Sequence, residues 1–174
     1  MATETCPECG AVTPVGHLTH AYVPSSPGCW EAFGEVQAEE LMRFQYPAAH
    51  RLVVDAYMAQ HVGASEDRRQ VQSVFVHLMA LCLTLERGLS SERVVEAMRR
   101  ALPEKGRRSF PKLFRRPVAG ELNVLSLRGA ETLEVYSARA EAWARSVWAT
   151  WSEHHALIRQ ALPLPLLPRR RGSG

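Results

Sequence analysis

From residue 30 onward, apolar positions recur every three or four residues. Trp30, Phe33, Val36, Leu41 and Phe44 follow that spacing, with Glu31, Glu35, Glu39 and Glu40 among them. This predicts a helix with one face turned to a core. Pro47 ends it and can open the next. His50, Val54, Tyr57 and His61 lie on one face of a second helix, and Gly63 is a plausible stop. Ser65, followed by Glu66 and Asp67, reads as the cap of a third. That helix carries Val71, Val74, Phe75, Leu78, Leu81, Cys82 and Leu85, and Gly88 closes it. Ser90 or Ser91 caps a shorter helix to about Leu102. Leu122 to Leu127 reads as a short strand or an extended link. A last long helix runs from about Ala130 to Leu162, where Pro163, Pro165 and Pro168 follow. The pattern predicts an all-α fold, about five helices in a bundle-like domain.

Residues 1–28 break the periodicity. Pro7, Gly10, Pro14, Gly16, Pro24, Pro27 and Gly28 predict an irregular loop. Three parts follow: a cysteine-bearing loop over 1–29, a helical domain over 30–162, and a flexible tail rich in proline and arginine over 163–174. No internal repeat is visible.

Composition narrows the class. Hydrophobic residues are 46% and charged residues 22% of 174, which excludes wholesale disorder and fibrous repeats. No apolar run approaches the roughly 18 residues of a membrane span. Met1–Gly10 lacks a basic region followed by an apolar stretch, so the chain reads as cytoplasmic. The net charge of +3 is unevenly spread. Residues 99–116 hold eight basic side chains and one acid, and Arg169, Arg170 and Arg171 add to the basic end, leaving an acidic body.

Chemistry concentrates in the N-terminal loop. Cys6-Pro7-Glu8-Cys9-Gly10 is a C-x2-C turn whose two sulfurs can bind one ion, and Cys29 supplies a third. His20 lies between, giving C-x2-C-x10-H-x8-C, with His17 as its competitor for the fourth place. The expected metal is zinc, held structurally by Cys6, Cys9, His20 and Cys29. A redox dithiol lacks the βαβ surroundings it needs, and a disulfide conflicts with a cytosolic location. A site without metal, with Cys29 simply buried, is the remaining alternative. Cys82 sits on an apolar helix face as a core residue.

A second concentration is histidine-based. His50, Tyr57 and His61 share a face, His77 lies on the next helix, and His154 on the last. Packed helices can gather such imidazoles around an ion, with Asp55 orienting one of them. The plain alternative is a set of hydrogen-bonded core histidines. Asp55, Tyr57, His61 and His77 are the candidate catalytic residues, with His61 and His77 the favoured pair.

Cys6-Pro7-Glu8-Cys9-Gly10, Thr19-His20-Ala21-Tyr22 and Ser25-Ser26-Pro27-Gly28-Cys29-Trp30 together resemble a bacterial family of uncharacterised function. The resemblance continues through His50-Arg51-Leu52-Val53-Val54-Asp55-Ala56-Tyr57, Gln60-His61-Val62-Gly63, His77-Leu78 and Trp143-Ala144 to Trp151. The family's signature resembles VDAYxxQHPG, and Val62 stands here in place of its proline. The resemblance brings no activity. It implies that Cys6, Cys9, His20 and Cys29 belong together, as do His50, Asp55, Tyr57, Gln60, His61 and His77.

The sequence therefore reads as a small zinc-binding helical protein of unassigned biochemical role. One alternative is a metal-dependent enzyme with a histidine-lined pocket between helices. Another is a nucleic-acid binder through residues 99–116, where Phe110 and Phe114 interleave with arginines including Arg107, Arg108, Arg115 and Arg116. A solvated basic loop is the favoured reading of that segment. No nucleophile elbow, phosphate loop or His-Glu-x-x-His motif occurs.

Overall fold

The computed structural model describes residues 2–101, 110–117 and 120–162. Arg107, Arg108 and the tail over 163–174 lie outside them. The described residues form six α-helices behind a small antiparallel hairpin: β1 Thr3–Thr5, β2 Val12–Pro14, α1 Pro27–Phe44, α2 His50–Gln60, α3 Arg68–Leu85, α4 Ser91–Ala101, α5 Leu133–Ala149 and α6 His155–Ala161. The fold is all-α, as the periodicity requires. The hairpin pairs Thr3 with Pro14 and Thr5 with Val12, so the N-terminal segment is more regular than its proline and glycine content indicates.

Local chemistry sets the helix ends. Ser26 Oγ accepts from the Cys29 amide, and Pro27 opens α1. The cap of α3 is Asp67, whose carboxylate accepts from the Arg69 and Gln70 amides, while Ser65 Oγ accepts from Asp67 itself. Thr132 caps α5 through the Val135 amide. Val124–Leu127 is a 3-10 turn capped by Asn123, not a strand. The long C-terminal helix expected over 130–162 is divided by a second 3-10 turn at Ser152–His154. His154 Nε2 there is 3.0 Å from the Phe114 carbonyl, fixing the break against the 110–117 segment.

Helix α2 packs against both α3 and α5, and α3 also meets α4 and α6. Val53, Ala56, Tyr57 and Ala59 of α2 are buried, together with Phe75, Leu78 and Leu81 of α3 and Trp143 and Val147 of α5. Trp151 is buried as well, and its indole donates to the Ala59 carbonyl at 3.2 Å. Truncating a tryptophan so enclosed costs about 3–5 kcal/mol. Two polar side chains of α2 are fully buried and both are satisfied. Asp55 meets Arg51 and His77, and Gln60 accepts from the Trp143 indole while donating to Leu122 O and Glu121.

The end of α3 is tied to α6 by Glu86, whose carboxylate accepts from Nε and Nη2 of Arg159, each at 2.7 Å. These bonds hold its carboxyl at about 2, below the ordinary 4.5. The folded pKa is depressed, so the contribution is present above pH 4.5 and is lost as pH falls from about 4.5 towards about 2. Arg159→Gln is expected to lower stability slightly at neutral pH. It should also shrink the acid-induced drop between pH 4.5 and 2, measured by thermal unfolding across that range.

Candidate metal centre

The hairpin presents its connecting segment, Cys6 to Ala11, as a tight knuckle. Cys6 N donates to Ala11 O and Gly10 N donates to Cys6 O, each at 2.9 Å. Gly10 adopts a φ of +70°, which a side chain would strain. Cys29 stands in the first turn of α1, placed by the Ser26 cap. The hairpin lies directly on that turn. Glu4 Oε1 accepts from Gly28 N at 2.6 Å and Gly16 N at 3.1 Å, and a Cβ on Gly28 would meet Pro14 O at 2.1 Å.

The fourth group comes from the far end of α2. His61 is the C-cap of α2, its amide donating to Tyr57 O at 3.2 Å. Its ring Nδ1 lies 2.8 Å from Tyr57 O, so Nδ1 carries the hydrogen and Nε2 faces Cys29 Sγ at 3.4 Å. Cys9 Sγ and Cys29 Sγ are 3.7 Å apart. The ligand atoms of Cys6, Cys9, Cys29 and His61 all lie within 4.8 Å of one another, and all four residues are buried. The four cysteines are free thiols. Tyr57, stacked between Phe33 and His61, donates its hydroxyl to Cys29 Sγ at 3.6 Å.

These spacings suit an ion. Bonds of about 2.3 Å to sulfur and about 2.0–2.1 Å to nitrogen give tetrahedral edges of about 3.5–3.8 Å. The 3.7 Å separation falls in that range and the 3.4 Å one just below it, whereas a disulfide needs about 2.05 Å. Electrostatics agree. Hydrogen bonds from Cys29 and Cys9 pull the Cys6 thiol well below its usual range, and hydrogen bonding to Cys29 and Cys6, together with burial, pushes Cys9 up. Burial lowers the His61 imidazole, but the sulfurs of Cys29 and Cys6 outweigh it and lift it to about 9. One thiolate paired with an imidazolium is therefore accommodated, while further ionisation is resisted. A cation removes that resistance and lets every sulfur coordinate. Four protein donors close a tetrahedron, which is the form of structural sites and leaves no open position.

A polar scaffold fixes the knuckle to the helices. Glu8, between the two knuckle cysteines, accepts from Val62 N at 3.1 Å and Gly63 N at 3.0 Å. Its own carbonyl accepts from Arg115, which pairs with Glu121, and Glu121 accepts from Gln60 at 2.8 Å. Arg115 and Glu121 are nearly buried.

His20 stands outside the cluster. Its ring packs on Tyr22 and Trp30, and its Nδ1 accepts from Tyr22 N at 3.4 Å. His17 is exposed and engages Glu31 through its backbone. The histidine face divides three ways. His61 and Tyr57 turn to the cysteines, His77 Nδ1 lies 2.7 Å from Asp55 Oδ1, and His50 Nδ1 lies 2.7 Å from Glu40 Oε2. His61 and His77 thus engage different partners, and Asp55 orients His77. Among the described residues, the three cysteines with His61 are the one group of three or more donors able to hold a metal. Glu8 and Arg115 had no sequence signal beyond Glu8's place inside the turn.

The class of protein so defined is an all-α domain whose N-terminal hairpin carries a buried cluster of three cysteines and one histidine. Residues 4–152 match the model of a family of unknown function, DUF5946, and the chain belongs to that family. It matches no curated protein and no solved structure. Among the described residues, no helix is long and apolar enough to cross a membrane.

Glu8→Ala leaves two amides at the end of α2 without their acceptor. A loss of about 1–3 kcal/mol in chemical unfolding is expected, against less than about 0.5 kcal/mol for an exposed control such as Glu134→Ala.

Proposed function

We propose that this protein is a zinc-binding helical domain in which the metal fastens the N-terminal hairpin to α1 and α2. The observation that carries the reading is the convergence of three buried free sulfurs and an imidazole nitrogen from three separate segments within 4.8 Å. Zinc is the metal this donor set favours, being borderline soft and content with tetrahedral thiolate and imidazole ligands. The closed donor set supports a fold-holding role over Lewis-acid catalysis. Four unpaired cysteines support a reducing compartment, in keeping with a cytoplasmic protein.

The described part of the basic segment supports a structural role for its charges. Arg115 is nearly buried against Glu121, Arg116 pairs with Glu153 at 3.0 Å, and Phe110 stacks on Phe75. Arg115 and Phe110 face the protein itself, which weakens the nucleic-acid reading, while Arg116 and Phe114 stay exposed at 76% and 67%.

Elemental analysis of the purified chain should find about one zinc per molecule. Cys9→Ser and His61→Ala should each lower zinc content and melting temperature together, while His20→Ala should retain the metal. Full zinc in His61→Ala with loss in His20→Ala would transfer the fourth ligand to His20. Absence of metal from the wild type, with unchanged stability on chelation, would remove the proposal.

A further inference from the structure

Away from the cysteine cluster, a second arrangement joins the end of α1 to the start of α2. Glu40 is fully buried, and its Oε2 lies 2.7 Å from His50 Nδ1. The Tyr136 hydroxyl on α5 is its other polar neighbour, and burial together with the adjacent Glu40 carboxylate pushes that phenol up. A carboxylate enclosed to this degree is a costly way to fill space, since buried charge demands full pairing. His50 is its close hydrogen-bonded contact, at 2.7 Å, and His50 is about a third exposed, at 31%.

His50 opens on a groove of about 460 Å³ lined by Gln37, Ala38, Leu41, Tyr46 and His50 itself. The connection between the helices forms this wall, with Gln45 as the left-handed cap of α1, its amide donating to Leu41 O. Gln45 and Tyr46 both have positive φ, at 53° and 56°, and the Tyr46 ring stands edge-on to the imidazole at 4.8 Å. The Glu40 contact places the ring hydrogen on Nδ1. Nε2 then keeps its lone pair, and no partner among the described residues reaches it.

We propose that His50, positioned by Glu40, is a proton-accepting binding site for a small ligand that bears an acidic hydroxyl on an apolar, ring-sized body. Ala38, Leu41 and Tyr46 supply the apolar walls, and the Gln37 amide supplies a neutral polar contact. On binding, the ligand O–H bond breaks and an N–H bond forms at Nε2. The imidazolium is held against the Glu40 carboxylate, and the ligand remains as its oxyanion. This is the geometry of a general base oriented by a buried acid. His50 meets the ligand, and Glu40 acts through it as a positioning residue.

The probe is 4-nitrophenol, whose phenolate absorbs in the visible while the phenol does not. Titrated against the full chain at a pH where the free probe is mostly protonated, it should develop a saturable phenolate band. His50→Gln should reduce that band by at least about tenfold, and so should Glu40→Gln, with folding checked by circular dichroism. Long-range proton–nitrogen NMR of the wild type should show His50 with its hydrogen on Nδ1, a measurement independent of whether Glu40→Gln folds. An unsaturable or absent band, an equal band in His50→Gln, or a wild-type His50 hydrogen on Nε2 would overturn the proposal.

Discussion

Three thiols and an imidazole buried within 4.8 Å of one another set the constraint on which the rest of the N-terminal architecture depends. Buried together without a cation, they can ionise only in part, because each further thiolate meets the charge of its neighbours. The surrounding features serve to hold that contact. Ser26 caps α1 so that Cys29 stands in its first turn, Glu4 ties the hairpin to the same turn, and Glu8 ties the knuckle to the end of α2. Gly28 admits the hairpin at a distance no other residue tolerates. The local rules of capping and turn formation thus serve a single long-range closure.

Helix α2 carries most of the polar connections in the core. At its start His50 reaches Glu40 of α1. In its middle Asp55 joins Arg51 to His77 of α3, and at its end Gln60 holds the Trp143 indole and Glu121. Each contact includes one buried polar group, Glu40, Asp55 or Gln60, with a partner on another element, which specifies a packing more narrowly than apolar contact does. The chain therefore fixes α2 against α1, α3 and α5 at separate heights along its axis, and His61 closes the same helix onto the hairpin.

Much of this was legible in the sequence. The helical periodicity gave the all-α class and most element positions, because burial of an apolar stripe is a local pattern. The C-x2-C turn and Cys29 marked the three sulfurs. The fourth member of the cluster was not legible by spacing. His20 lies between the cysteines, but the aromatic faces of Tyr22 and Trp30 hold it. His61 is 32 residues beyond Cys29 and arrives only because α2 packs where it does. Its signal was weaker: a histidine just past a helix end, four residues after Tyr57, whose carbonyl fixes the ring. The split of the last helix was likewise hidden, since Trp151, His154 and Ile158 keep helical spacing through the 3-10 turn.

The most direct test of the account is X-ray absorption at the zinc edge on the purified, metal-loaded chain, compared with His61→Ala. The expected first shell is three sulfurs at about 2.3 Å and one nitrogen at about 2.0–2.1 Å, with the imidazole scattering lost in the variant. A shell of oxygen and nitrogen without sulfur, or an unchanged imidazole contribution in His61→Ala, would contradict it.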